Sequence, residues 1–185
     1  MQEYQVKDIM VPIEEYATVH KDATLYEAVT ALEKAQEDFN RSPYRHRAIL
    51  ILDEHKKLVG KLSQLDVIRA LEPKYGEMQT NTGLARYGFT KKFVQSMMEQ
   101  YKLWDTPLIN ICQKAVDIKV SAIMTTPSEG EIVDEDASLG QAIHMLVMGP
   151  HQSLLVLKKG RITGVLRLTD VFLAIFHTMK ECKLS

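Results

Sequence analysis

Cysteine, net charge and long apolar runs are all scarce in this chain. Its 185 residues hold two cysteines, Cys112 and Cys182, far apart in the sequence. Neither a disulfide framework nor a zinc site built on thiolates is therefore expected. His20, His55, His144 and His177 are scattered without H-x-x-x-H spacing, so no metal site is expected. Lys plus Arg number 23 and Asp plus Glu 24, for a net charge of −1. Nucleic acid is therefore not an expected partner, because its binders carry a basic excess. No stretch approaches the roughly 18 uninterrupted apolar residues that a bilayer crossing needs. The opening MQEYQVKDIM lacks a cationic segment followed by an apolar core, so no signal peptide is expected. The expected setting is the cytoplasm, with reduced thiols and no membrane partner. Walker, G-x-S-x-G and C-x-x-C motifs are missing too. With no nucleophile–base pair visible, no catalytic residue is nominated and the chain is not read as an enzyme.

What is present is an ordinary globular composition and a duplication. VKDIMVP (Val6 to Pro12) reappears as VSAIMTTP (Val120 to Pro127). ATVHKDATLYEAVTAL (17–32) matches EIVDEDASLGQAIHML (131–146), and RAILILDEHKKLVGKLSQLDVIRAL (47–71) matches QSLLVLKKGRITGVLRLTDVFLAI (152–175). Each copy reads as β-α-β-β-α. A short strand precedes Thr24-x-x-Glu27 or Ser138-x-x-Gln141, both of which predict a capping box. AILIL (48–52) and LLVL (154–157) are continuous apolar runs suited to strands covered on both faces. Short return strands follow, and Asp66 or Asp170 then sits at the start of a last helix, where a carboxylate suits the positive helix end. The boundaries predicted are 1–71 for the first repeat, 72–119 for a helical insert and 120–185 for the second repeat with its tail. The insert predicts helices over 90–101 and 107–116. Its apolar Phe93, Met97, Trp104, Leu108 and Ile111 must cover something, either the two repeats or a partner.

The chemistry concentrates after the hairpins. Repeat one reads G-x-x-S-x-x-D (Gly60, Ser63, Asp66) and repeat two G-x-x-R-x-x-D (Gly164, Arg167, Asp170). Glycine in a strand admits close approach of another group. An ionised Asp accepts hydrogen bonds only, which suits the paired hydroxyls of a ribose. Ser63 can donate to a phosphate oxygen, and backbone N–H groups at the helix start can face an anion. Read alone, the Ser63–Asp66 pair is a helix cap. Arg45-His46-Arg47 has two readings, a solvated basic turn or a phosphate clamp. A His46 protonated near neutrality would add charge to the clamp. In repeat two, Arg167 either pairs with Asp170 and fills the ribose acceptor or faces a di- or triphosphate.

The ordered set of pieces, D-I-M-x-P and A-I-M-x-x-P, T-L-x-E-A and S-L-x-Q-A, the apolar strand and the two Gly-to-Asp motifs, resembles a tandem pair of cystathionine-β-synthase (CBS) domains, the Bateman module. The resemblance implies an α/β (α+β) fold of two repeats packed sheet against sheet about a pseudo-twofold axis, and a homodimer. It also implies two clefts for adenosyl ligands such as AMP, ADP, ATP or S-adenosylmethionine. By the same resemblance Asp66 holds the ribose and Ser63 lies near the phosphates. Arg47 just before the apolar strand meets phosphate, with Arg45 and His46 beside it. Backbone at Tyr16, Ala17 and Thr18 contacts the adenine edge, and Met10 and Leu62 flank the ring. The second cleft, with Arg167, Asp170, His151 and Ile132, is expected to be weak or empty. The function implied is regulatory, sensing adenine nucleotides (the cell's energy state) and signalling to an unknown partner chain, with no cofactor required. A ligand-free dimerising scaffold that uses the insert is the alternative.

Overall fold

The computed structural model describes residues 4–72, 74, 90–102 and 110–181. Helix α1 (Val6–Ile9) and strand β1 (Val11–Pro12) open the chain. Repeat one follows as β2 (Thr18–His20), α2 (Leu25–Asp38), β3 (Ala48–Leu52), β4 (Leu58–Ser63) and α3 (Gln64–Leu71). The insert contributes α4 (Lys91–Tyr101) and α5 (Ile111–Asp117). Repeat two is β5 (Ile132–Asp134), α6 (Leu139–Met148), β6 (Ser153–Lys158), β7 (Arg161–Arg167) and α7 (Leu168–Glu181). The predicted α+β duplication is therefore the fold. Trp104, Pro107, Leu108 and Cys182 lie outside the described residues. Among the described residues no helix is long and apolar enough to cross a membrane.

The helix starts follow their cap chemistry. Thr24 Oγ1 accepts from Glu27 N at 3.2 Å, and Thr24 N donates to the Glu27 carboxylate at 2.6 Å, which completes the predicted box. At Ser138 the hydroxyl half forms, accepting from Gln141 N at 3.2 Å, without the return bond from Gln141.

Each repeat builds a sheet with its first strand parallel and its hairpin antiparallel, β2-β3-β4 and β5-β6-β7. The strand alternation places the apolar runs. Ile49 and Ile51 enter the core of repeat one, and Leu154 and Val156 that of repeat two. Leu50 and Leu155, pointing the other way, meet with Val11, Tyr16 and Val165 in a third cluster that forms the seam. Burial on both faces is why these runs carry no polar alternation.

The two repeats exchange their opening segments. β1 joins the far sheet, antiparallel to β7, with Val11 opposite Val165. Val6 is fully buried in the repeat-two core, and its mate Val120 is fully buried in that of repeat one. The backbone bonds repeat the symmetry. Val6 N donates to Ala137 O and Val120 N to Ala23 O, both at 3.0 Å. Leu139 N donates to Tyr4 O at 3.0 Å and Leu25 N to Ile118 O at 2.8 Å. The motif glycines are where the crossing segments press on the sheets. A Cβ at Gly164 would stand 2.5 Å from the Val11 carbonyl oxygen and 2.9 Å from Met10 Sδ, and one at Gly60 would collide with the Met124 thioether.

On the last helices Val171 is buried, and Val67, Ala70, Leu71 and Ile175 are partly buried against the cores. Leu65 and Ile68 on α3, and Leu168, Phe172, Phe176 and Met179 on α7, are the exposed ones. In the insert, α5 packs against α2 and α3, and Lys114 Nζ donates to Leu71 O at 3.0 Å.

Because the obstacle at Gly164 is backbone and that at Gly60 a flexible side chain, Gly164→Ala is expected to cost about 2–3 kcal/mol and Gly60→Ala about 1 kcal/mol in urea unfolding. Adding Met124→Ala should erase the Gly60→Ala penalty and leave that of Gly164→Ala unchanged.

Candidate functional site

A cavity of about 490 Å³ opens between the repeats, within the size range of small-ligand sites. Repeat one contributes Tyr16, Arg45, Arg47, Ala48, Lys61 and Ser63, and repeat two contributes His151, Gln152, Ser153, Arg167 and Thr169. No acidic side chain lines it among the described residues. Arg45 and Arg47 are exposed into it and make no ion pair with any described residue. Two unneutralised guanidinium groups on one wall favour an anion, and their planar forks match phosphate oxygens.

A buried carboxylate joins two of the lining residues across the repeats. Glu131, buried in repeat two, accepts from Lys61 Nζ of repeat one at 2.6 Å and stands 2.5 Å from His151 Nδ1. Lys61 carried no signal in the sequence. Its partner lies in the other repeat, and no local pattern announces that pairing.

Ser63 and Asp66 form the reciprocal cap at the start of α3. Ser63 N donates to Asp66 Oδ2 at 2.9 Å, Ser63 Oγ donates to the same oxygen at 2.6 Å, and Asp66 N donates to Ser63 Oγ at 3.2 Å. Asp66 Oδ1 faces Arg69 at 3.7 Å. Ser63 lines the cavity, whereas Asp66 is not among its lining residues.

Several expected neighbours lie elsewhere. Met10 packs on Gly164 and lines the cleft of Asp170, because β1 crosses to the other sheet. Leu62 is fully buried in the core of repeat one, on the strand face opposite Ser63, and cannot flank a ligand ring. Tyr16 reaches the central cavity, while Ala17 and Thr18 line a separate groove along α2. Ile132 pairs with Leu155 within the second sheet and does not line the cavity. His46 is the clearest correction. It is fully buried between the Tyr16 and Phe39 rings, each 4.5 Å away by centroid. Burial, and then the Arg167 guanidinium, lower its pKa to about 4. The ring is neutral at pH 7 and adds no charge to the clamp. Alternation along Arg45-His46-Arg47 sends the arginines to the cavity and the imidazole to the core.

The second motif is filled from within. Arg167 Nε donates to Asp170 Oδ2 at 2.7 Å and Nη2 to Oδ1 at 2.5 Å, with both side chains buried. Nη1 donates to Tyr44 O at 2.8 Å and lies 3.4 Å from His46 Nδ1, and the guanidinium carbon sits 5.0 Å from the centre of the Phe39 ring. Removing one partner of such a pair typically costs about 3–5 kcal/mol, because the other charge is left buried. Phe39 and Tyr44 were not nominated. Their loop is longer than the matching connection of repeat two, so the duplication offers no equivalent position from which a role could be inferred.

The buried imidazole sets a pH dependence. A histidine with a lowered folded-state pKa is protonated first in the unfolded chain, so stability falls as pH drops from about 6.5 towards 4. Thermal unfolding across that window should show the loss in the wild type and a smaller one in His46→Gln.

The geometry has relatives. The CBS domain family model matches residues 6–73 and 120–177, together more than half of the chain. A CBS domain-containing protein of unknown function from Bacillus anthracis is similar at 19% identity and a TM-score of 0.61, covering 95% of each chain. The CBS-pair protein CBSX2 from Arabidopsis thaliana is similar at 18% identity and a TM-score of 0.58, over 98% of this chain and 100% of that one. CBSX2 has also been solved in complex with AMP, a structure similar at 18% identity and a TM-score of 0.58 over 95% of this chain and 98% of that one. No curated protein matches the sequence. With its exchanged opening segments, twin hairpins and two Gly-to-Asp motifs, this chain belongs to the CBS-domain family and carries the domain as a tandem pair.

Proposed function

We propose that this CBS pair is a regulatory module that binds one adenine nucleotide of the AMP, ADP or ATP class between its repeats and signals occupancy to another chain. The observation that carries the reading is the acid-free wall of Arg45 and Arg47 beside Ser63 in a cavity of about 490 Å³. The AMP complex of CBSX2 supports the ligand class. In this reading Arg45 and Arg47 hold the phosphate. Ser63 donates to it by turning its hydroxyl from Asp66, and Asp66 Oδ1 accepts from the ribose. S-adenosylmethionine fits the adenosyl part but offers the two arginines no phosphate. Signalling works by population shift. Ligand touching both repeats stabilises one relative arrangement, by no more than its differential affinity for the two. No chemical step is assigned to the site, and the setting proposed is the cytoplasm.

A second reading rests on the exposed apolar side chains of α3 and α7, which suit self-association. A homodimer through these faces serves either a sensor or a ligand-free scaffold.

Two measurements separate these readings. Titration calorimetry with AMP and adenosine should show that Arg47→Ala weakens AMP at least about tenfold, a loss of about 1.4 kcal/mol, with adenosine unchanged. Asp66→Ala should weaken both ligands and, as a lost cap, lower stability by about 1 kcal/mol. Equal loss of AMP and adenosine on Arg47→Ala would remove the phosphate assignment, and no binding of either ligand to the wild type would favour the scaffold. Light scattering should find a dimer that Phe172→Asp with Ile68→Asp converts to monomer; an unchanged mass would place the contact elsewhere.

A further inference from the structure

We propose that the repeat-two cleft is a planar-cation site whose occupant is the chain's own Arg167, an internal ligand that withholds Asp170 from any incoming hydroxyl pair and clamps the Phe39–Arg47 strap. The guanidinium is satisfied as a bound ligand would be. Asp170 grips its edge through two bonds of 2.7 and 2.5 Å, the Tyr44 carbonyl accepts at 2.8 Å, and the Phe39 ring covers it at 5.0 Å. Arg167 is 5% exposed, so these groups have replaced its water. A fork held in plane by a carboxylate and covered by an aromatic ring is the arrangement that favours guanidinium over ammonium.

The partners come from different places, and that is the reason to assign more than a salt bridge. Asp170 belongs to the helix start of repeat two. Phe39, Tyr44 and His46 belong to the connection between α2 and β3, which spans Phe39–Arg47 in repeat one. The matching connection of repeat two spans only Gly149–Gln152. The extra length of repeat one is thus spent on reaching across to the substituted position of repeat two. At the mate of Arg167 stands Ser63, too short to cover its aspartate, and among the described residues Asp66 Oδ1 has only a distant, exposed Arg69. One side chain makes the clefts unequal. The same side chain holds the backbone at Tyr44, next to Arg45, so the clamp also positions the cationic wall of the central cavity.

The test has one arm independent of nucleotide binding and one that rests on the function proposed above. In the first, thermal unfolding of the full chain is followed with low millimolar methylguanidinium chloride against matched sodium chloride. Arg167→Ala should melt below the wild type, and methylguanidinium should raise the variant's Tm while leaving the wild type unmoved. A folded variant that responds no more than the wild type overturns the proposal. If Arg167→Ala does not fold, Arg167→Lys keeps the charge without the fork. It should melt several degrees below the wild type, and an equal Tm overturns the proposal. In the second arm, calorimetry should count one AMP per wild-type chain and two per Arg167→Ser chain, where the serine-to-aspartate spacing of repeat one is restored. Two per wild-type chain, or one per folded Arg167→Ser chain, overturns it. If neither protein binds AMP, the nucleotide reading fails, and the methylguanidinium arm alone decides the internal ligand.

Discussion

The exchange of opening segments is the constraint on which the rest of this molecule depends. Val6 completes the core of repeat two and Val120 that of repeat one, so neither repeat owns all of its interior. Burying such a side chain is worth about 1.5–3 kcal/mol, and here that free energy is available only when the other repeat is in place. The seam cluster of Val11, Tyr16, Leu50, Leu155 and Val165 adds to the same dependence. The central cavity is built on this joint, with one wall from each repeat. A ligand seated there would act on the arrangement of the two halves, the degree of freedom a regulator needs.

Most of the fold was legible because the duplication made weak signals count twice. Thr24-x-x-Glu27 and AILIL are common patterns alone; in register with Ser138-x-x-Gln141 and LLVL they defined two copies of one unit. The helix cap at Ser63 and Asp66 was legible in the same way, and so was the option that Arg167 pairs with Asp170. What escaped was pairing between repeats. Met10 was assigned to the cleft of its own repeat, because nothing in VKDIMVP says that β1 will lie against β7. Leu62 was misplaced for a different reason. Period-two alternation in β4 puts it on the opposite face from Ser63, so the two side chains cannot meet one ligand. His46 was hidden because Arg45-His46-Arg47 precedes the strand, where no periodicity announces which side chain turns inward.

The two motifs show how one substitution alters a duplicated site. Both aspartates accept from the backbone N–H three residues earlier, at 2.9 Å in repeat one and 3.2 Å in repeat two. The local helix start is therefore nearly the same. What differs is the group above the carboxylate, a hydroxyl in one and a buried guanidinium in the other. The first leaves one carboxylate oxygen facing only a distant Arg69 among the described residues. The second satisfies both carboxylate oxygens and reaches on to the strap.

The crossing of the chain also has a kinetic side. The bonds between Val6 and Ala137, and between Tyr4 and Leu139, close loops of more than a hundred residues. Such closures pay their entropy before the contacts return anything, and they slow folding accordingly. A nascent chain that has emerged only through β4 has no partner for α1 and β1, and the place reserved for Val120 in its core is vacant. Part of its apolar surface stays uncovered until the second hairpin arrives, so the half-made chain is the species most exposed to aggregation.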